Sequence, residues 1–172
     1  MVYGQTFARN LCPIMSFEQG SAFIDAFFEN QSTMLPLVPQ NLFNEQRLLY
    51  YATGIVKPAY SLSLEYAIFA FVSRDLETAD LLGLKAKIIL DAEITVKMTT
   101  LGSVRAAELL GWQECGSDRA GHYCAMEAGL SNDFGLHRDP SNYLLTEMAT
   151  EELEMRRFVA WGFFIFDRQP IA

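Results

Sequence analysis

GSDRAGHYCAMEAGLSNDFGLHRDP, residues Gly116–Pro140, and EELEMRRFVAWGFFIFDR, residues Glu151–Arg168, are the two stretches that decide the fold of this chain. Each carries the marks of a helix with a defined end. We therefore expect the rest of the chain to be organised around this pair of helices.

The first stretch has the start, the body and the stop of a helix. Ser117 or Asp118 can accept hydrogen bonds from the free N–H groups of the first turn. Apolar residues then recur at three- and four-residue steps, as one buried helix face requires. They are Ala120, Tyr123, Cys124, Leu130 and Phe134. Gly135 stands where a left-handed cap is expected, and Pro140 prevents the helix from continuing.

The second stretch changes character along its length. Glu152 and Arg156 stand four residues apart, which predicts an ion pair on one helix face. After Arg157, the run Phe158–Phe166 contains no charge, no amide and no hydroxyl. Because a helix that is apolar all round must be covered all round, we expect this run to be buried on every side.

Capping residues and apolar periodicity predict five earlier helices. Their expected limits are Ser16 to Asn30, Leu42 to Val56, a third helix starting at Ser61 or Ser63, Asp75 to Leu90, and Thr99 or Thr100 to Cys115. The residues expected to face inward include Leu48, Leu49, Ala52, Leu81 and Leu82. No stretch alternates as a β-strand would, so we expect an all-α fold, an irregular bundle of about seven helices forming one domain over residues 1–172.

Charge argues against autonomous nucleic-acid binding. The net charge is −8, and 51% of the residues are hydrophobic. Residues 1–116 hold 12 acids and 8 bases and residues 117–172 hold 9 acids and 5 bases, so each part nets −4. A chain without a basic stripe lacks the usual electrostatic means of holding phosphates.

Three cysteines, Cys12, Cys115 and Cys124, form no paired framework, which favours a reducing compartment. No signal peptide is recognisable, and the nine-residue apolar run at Phe158 is far shorter than the roughly 20 residues that span a bilayer. The sequence predicts a soluble intracellular protein without a membrane partner.

The two histidines, His122 and His137, are candidates for a catalytic or metal-binding role. His137 lies near Asp133 and Asp139, a combination that suits a general base or a metal site. A histidine just past a helix end also commonly sits in solvent or bonds free carbonyls, and we favour that interpretation. Cys115, His122 and Cys124 could suggest zinc, but their spacing matches no usual pattern and a fourth ligand is missing.

The sequence does not support other catalytic arrangements either. A serine or cysteine triad would need a positioned histidine, and neither histidine stands in such a context. The adjacent Glu151 and Glu152 diverge on a helix, and Arg156–Arg157 among nearby acids is typical of an ion-paired surface. We expect no catalytic, cofactor-binding or metal-binding residues, and no enzyme.

The segment from Thr99 to Arg168 resembles the fungal-specific transcription factor regulatory domain, also called the middle homology region or the xylanolytic transcriptional activator regulatory domain. The motif residues that carry the resemblance are Gly135, Leu136, His137, Arg138, Asp139, Glu154, Met155, Arg156, Arg157, Trp161, Asp167 and Arg168. The family's opening helix is matched more weakly by Phe17–Phe43. One departure is Gly121, which stands where the family usually has tryptophan.

The resemblance implies a nuclear regulator of RNA polymerase II transcription, with the motif residues in structural roles. In the family, zinc and DNA binding belong to an N-terminal zinc-cluster domain. No C-x2-C-x6-C cluster precedes the domain here, so neither zinc nor direct DNA binding is expected of this chain. The implied partners are the rest of a transcription factor or a dimer partner, and a small-molecule effector.

The usual Gly-Arg-Pro after the Asp-Arg pair is also missing, so we expect a domain truncated at its C-terminal end, with the run Phe158–Phe166 partly uncovered. A ligand-binding or dimerising helical module without a transcriptional role remains the alternative, and an all-α enzyme centred on His137 is a more remote one.

Overall fold

The computed structural model describes residues 15–30, 38–115, 117, 119–138 and 150–166, with the side chains of residues 151 and 163–166 excepted. These ranges hold seven α-helices and no strand, which confirms the all-α prediction. The helices are α1 (Phe17–Asn30), α2 (Gln40–Thr53), α3 (Leu62–Val72), α4 (Leu76–Thr95), α5 (Leu101–Gln113), α6 (Ala120–Asp133) and α7 (Thr150–Phe166).

Side-chain caps start four of these helices, as the sequence predicts. The Ser16–Gln19 capping box precedes α1, with Gln19 N donating to Ser16 Oγ at 3.2 Å and Ser16 N donating to Gln19 Oε1 at 2.9 Å. The other three caps are Ser61 on α3, Asp75 on α4 and a Thr100–Ser103 capping box on α5. At α6, Arg119 occupies the N-cap position and makes no side-chain cap bond of its own. The predicted Ser117 accepts the Arg119 N–H through its Oγ at 3.2 Å, and Asp118 lies outside the described residues.

Helix ends differ from the predictions by a few residues. Helix α2 stops at Thr53 instead of Val56 because Gly54 adopts a left-handed conformation with φ 74°. Helix α4 continues past Leu90 to Thr95, since Glu93 is held by bonds from α3 and α5 that keep the last turn helical.

The centre of the molecule is the pair α3 and α5. Every residue from Ser63 to Ala70 and from Leu101 to Gly111 is buried. Helix α3 packs against α1, α4 and α5, and α5 packs against α3, α4, α6 and α7. The expectation that α6 and α7 form the organising centre is therefore wrong. These two helices pack against α5, whose other contacts are with α3 and α4.

The inward faces of α2 and α4 also differ from the predicted ones. Leu48 is 58% exposed and Ala52 is exposed, because α2 turns Leu42, Phe43, Gln46 and Arg47 inward instead. On α4, Leu82 is buried as predicted but Leu81 is 54% exposed. Helix α4 carries apolar residues both on the side that contacts α3 and α5 and on the opposite side.

Helix α7 is not buried on every side. Val159 and Gly162 face α5, Phe158 and Ala160 are half-buried, and Trp161 is 65% exposed. One side of the apolar run is thus open to solvent as far as residue 162.

Candidate functional site

The end of α6 is built around Gly135. Its φ is +63°, a left-handed conformation that glycine adopts without a Cβ clash. The Gly135 N–H donates to the Asn132 carbonyl at 2.9 Å, and the Leu136 N–H donates to the Ser131 carbonyl at 2.9 Å. These two bonds make a Schellman motif, with Leu136 packed against the core. The predicted cap at Gly135 is confirmed.

His137 and Arg138 follow this cap and are exposed. Arg138 Nε donates to His137 Nε2 at 3.3 Å, and the Arg138 N–H bonds the Gly135 carbonyl at 3.1 Å. Asp139 lies outside the described residues. The environment of His137 among the described residues is solvent and a neighbouring arginine, which matches the interpretation of a histidine past a helix end.

Arg156 on α7 joins the two motif stretches. Its Nη1 donates to the carbonyl of Phe134, the C-cap residue of α6, at 2.8 Å, while its Nε donates to Glu152 Oε1 at 3.3 Å. The predicted Glu152–Arg156 ion pair is confirmed. The same guanidinium therefore closes an ion pair on α7 and caps the end of α6, which places the glycine motif and the arginine motif at one joint. We name it the α6–α7 joint and define it by Phe134, Gly135, Glu152 and Arg156.

The remaining motif residues do not converge on this joint. Glu154 and Arg157 are exposed on α7, and Trp161 lies one turn further on. Asp167 and Arg168 lie outside the described residues.

Helix α5 carries a buried ion pair that the sequence analysis missed. Arg105 and Glu108 on α5 form a salt bridge, and their side chains are 1% and 2% exposed. Arg105 Nη2 also donates to the Phe158 carbonyl on α7 at 3.0 Å. The Arg105 guanidinium lies against Gly162, where any side chain would clash with it, because a Cβ at residue 162 would overlap the guanidinium atoms. Burial raises the pKa of the Glu108 carboxyl. The sequence does contain a signal for this pair, namely two opposite charges three residues apart within a largely apolar helix.

A second buried network, also missed, connects α1, α2 and α3. Arg47 Nε donates to the fully buried Glu65 carboxylate at 2.7 Å, and its Nη1 donates to Ser21 Oγ at 3.0 Å. The hydroxyls of Tyr51 and Tyr60 donate to the same carboxylate. Burial and the Glu65 charge together raise the pKa of the Tyr60 phenol well above its ordinary value.

A third polar cluster centres on Glu93 at the end of α4. Its carboxylate accepts bonds from Ser63 N at 3.2 Å, from Ser63 Oγ at 2.7 Å and from Ser103 Oγ at 2.7 Å. Ser63 belongs to the first turn of α3 and Ser103 to that of α5, so one carboxylate sits at two helix N-termini. Burial raises the pKa of the Glu93 carboxyl, and the hydrogen bonds oppose that shift without overcoming it.

A groove of about 180 Å³ lies between α2, the segment 57–59 and α7. It combines apolar walls with charges of both signs. Its lining consists of Leu42, Glu45, Gln46, Leu49, Lys57, Pro58, Ala59, Glu152 and Met155. Gln46 Oε1 accepts the Ala59 N–H at 2.8 Å, which fixes the floor of the groove. Glu152 belongs both to the groove and to the α6–α7 joint.

In the part of the chain that the structure describes, no three His, Cys, Asp or Glu side chains lie close enough together to hold a metal ion. Cys115 and His122 are exposed and Cys124 is half-buried, and Cys12 lies outside the described ranges. None of the helices described is both long enough and apolar enough to cross a membrane.

The model of the fungal specific transcription factor domain matches residues 24–170. Over 85 residues the chain is 33% identical to the nitrogen assimilation transcription factor nirA of Emericella nidulans. That alignment covers 48% of this chain and 9% of nirA, so the chain spans a small part of that relative. No solved structure matches the chain.

The match covers the second half of α1 and all of the other six helices, and it includes the α6–α7 joint and the buried pair Arg105–Glu108. The chain belongs to the fungal specific transcription factor domain family.

Proposed function

We propose that this chain regulates the activity of a zinc-cluster transcription factor that acts on RNA polymerase II transcription in the nucleus of a fungus. The observation that carries the proposal is the family match over residues 24–170, supported by the likeness to nirA. Zinc and specific DNA binding would belong to a separate N-terminal domain, and the rest of that factor would be the first partner. We propose no catalytic role for the chain, because the family to which it belongs is one of transcription factor domains.

The regulatory role is tested by removing the domain from the factor that contains it. A reporter under that factor's own promoter site should change its output or lose its response to inducing conditions when residues 24–170 are deleted. A factor that keeps normal output and response after the deletion, at equal protein level in the nucleus, would contradict the proposal.

Direct DNA binding is tested separately with the 172-residue chain. In a gel-shift assay at low salt we expect no sequence-specific complex, because the chain carries a net charge of −8 and its acids and bases are evenly spread. A specific, salt-sensitive complex would overturn the assignment of DNA reading to another domain.

The second candidate function is binding of a small effector without a transcriptional role, and the mixed groove favours it. Lys57 suits an anionic group and Glu45 a cationic one, so the chemistry fits a small zwitterion such as an amino acid. A thermal-shift panel of amino acids should then raise the melting temperature of wild type and not of Lys57→Glu. If no amino acid raises the melting temperature of either protein, the groove is not such a site. The reporter experiment tests the regulatory role independently of this result.

A further inference from the structure

Helix α4 has an apolar face that no described element covers. Leu81 and Leu84 are each 54% exposed and Ile88 is 46% exposed. Steps of three and four residues place these side chains on one face of the helix. We call them the outer strip. The opposite face of the same helix already supplies Leu82, Ala86, Ile89 and Leu90 to the core.

Acidic residues surround the outer strip. Glu77 precedes Leu81 by one turn, Asp91 follows Ile88 by three residues, and Asp80 lies beside the strip. All three carboxylates are exposed, and none forms an ion pair with a cation among the described residues. From Glu77 to Asp91 the acid-flanked strip is about 21 Å long, at about 1.5 Å per residue.

The two lysines of α4 turn away from this strip. Lys85 is buried, with its Nζ 4.7 Å from the centre of the Tyr66 ring on α3. Lys87 forms a salt bridge with Glu114 after α5. The cations beyond the helix ends, Arg74 and Lys97, lie outside the span of the strip. The helix thus directs its positive charge toward its own neighbours and presents an apolar, negatively charged face outward.

We propose that the outer strip of α4 is a docking surface for a basic amphipathic helix of a partner protein. A partner helix with apolar residues at three- and four-residue spacing can interdigitate with Leu81, Leu84 and Ile88. Lysines or arginines flanking that spacing would meet Glu77, Asp80 and Asp91. A second copy of this chain is a poorer occupant, because it would bring one acidic rim against another.

The test uses the 172-residue chain and three synthetic 18-residue peptides. The first is helical, with leucines at i, i+3 and i+7 flanked by lysines, and the second has glutamates in place of the lysines. The third is a scramble of the first with the same charge. By fluorescence anisotropy at 50 mM NaCl we expect the first peptide to bind at least tenfold more tightly than either of the others.

Matched variants locate the binding. Leu84→Asp should weaken binding of the basic peptide at least tenfold, whereas Leu48→Asp, at a leucine on α2 that is 58% exposed, should leave it within twofold. Asp80→Lys combined with Asp91→Lys should reverse the preference toward the glutamate peptide. Circular dichroism of each variant checks that it is folded, and Ile88→Asp replaces Leu84→Asp if the latter is not.

Three results would overturn the proposal. One is failure of the basic peptide to bind. Another is equal binding to wild type and to folded variants of the strip. The third is sedimentation of wild type as a dimer that Leu84→Asp makes monomeric, which would assign the strip to a second copy.

Discussion

At the scale of single residues, the backbone conformation of Gly135 restricts which residue this position accepts. It holds φ +63° at the end of α6, and the space where a Cβ would lie is open. Any loss on substitution would therefore come from backbone strain and not from a clash with neighbours.

We expect Gly135→Ala to lower the free energy of unfolding by about 1–2 kcal/mol, because a side chain in the left-handed region clashes with its own backbone. Gly129→Ala is the matched control: Gly129 is exposed inside α6, where alanine should raise stability by about 0.5–1 kcal/mol. Urea denaturation measures both. Equal effects of the two substitutions would contradict the backbone explanation.

Glu93 makes the stability of the fold depend on pH in a defined direction. Because burial raises the pKa of its carboxyl, the folded protein holds this proton more tightly than the unfolded chain does. Its contribution to the free energy of unfolding therefore falls as pH rises from the ordinary value of 4.5 through the raised folded-state pKa. We expect wild type to lose stability relative to Glu93→Gln across that window, measured by urea denaturation at several pH values.

Asp75 provides a control of opposite sign. Hydrogen bonds from the Thr78 side chain and N–H lower the pKa of the Asp75 carboxyl. Its contribution is present above the ordinary value of 3.8 and is lost as pH falls through the lower folded-state pKa. The free energy of unfolding of wild type should therefore rise relative to that of Asp75→Asn as pH rises through this window. The same slope for both variants would show that the Glu93 effect is not specific.

At the scale of elements, the α6–α7 joint depends on one guanidinium. Arg156 bonds the carbonyl of the C-cap residue Phe134 at the end of α6 and pairs with Glu152 on its own helix. We expect Arg156→Ala to cost about 1.5–3 kcal/mol, as for other hydrogen bonds to a charged group. The exposed Arg157→Ala should change the free energy of unfolding by no more than about 0.5 kcal/mol.

Arg156→Lys separates geometry from charge at this joint. A lysine ammonium can retain the attraction to Glu152, but it lacks the planar fork that reaches the carboxylate and the Phe134 carbonyl together. We expect a loss between those of the other two variants, by the same denaturation measurement. Full retention of stability in Arg156→Lys would show that the contact with the end of α6 contributes little.

At the scale of the whole molecule, buried charge connects three helices of the bundle. The Arg47–Glu65 network reaches α1 through Ser21, α2 through Arg47 and α3 through Glu65. Removing one charge would leave the other buried without its partner, which is more costly than removing both.

We expect Arg47→Met to lower the free energy of unfolding by about 3–5 kcal/mol, because it leaves the Glu65 carboxylate without its counter-ion. The double variant Arg47→Met/Glu65→Gln should recover at least half of that loss, since glutamine can still accept the Tyr60 hydroxyl. Urea denaturation at neutral pH measures both, and a loss below about 1 kcal/mol for Arg47→Met would contradict the buried-pair account.

Three features of the fold were determined by the sequence alone: the all-α class, most helix starts and the cap at Gly135. Each depends on local chemistry. The Ser61, Asp75 and Thr100 side chains cap the backbone three residues ahead, and glycine tolerates a left-handed turn whatever surrounds it. The Glu152–Arg156 pair belongs with them, because its partners lie one helical turn apart.

Only the tertiary structure decided which faces are covered and which distant charges meet. Leu81 and Leu82 look alike in the sequence, yet one is exposed and the other buried, because α3 and α5 reach only one side of α4. Arg47 and Glu65 stand on different helices and meet only in the folded chain, whereas Arg105 and Glu108 are neighbours on one helix whose burial depends on the helices around them. Local periodicity specifies a helix, but the choice among its apolar faces depends on the elements packed against it.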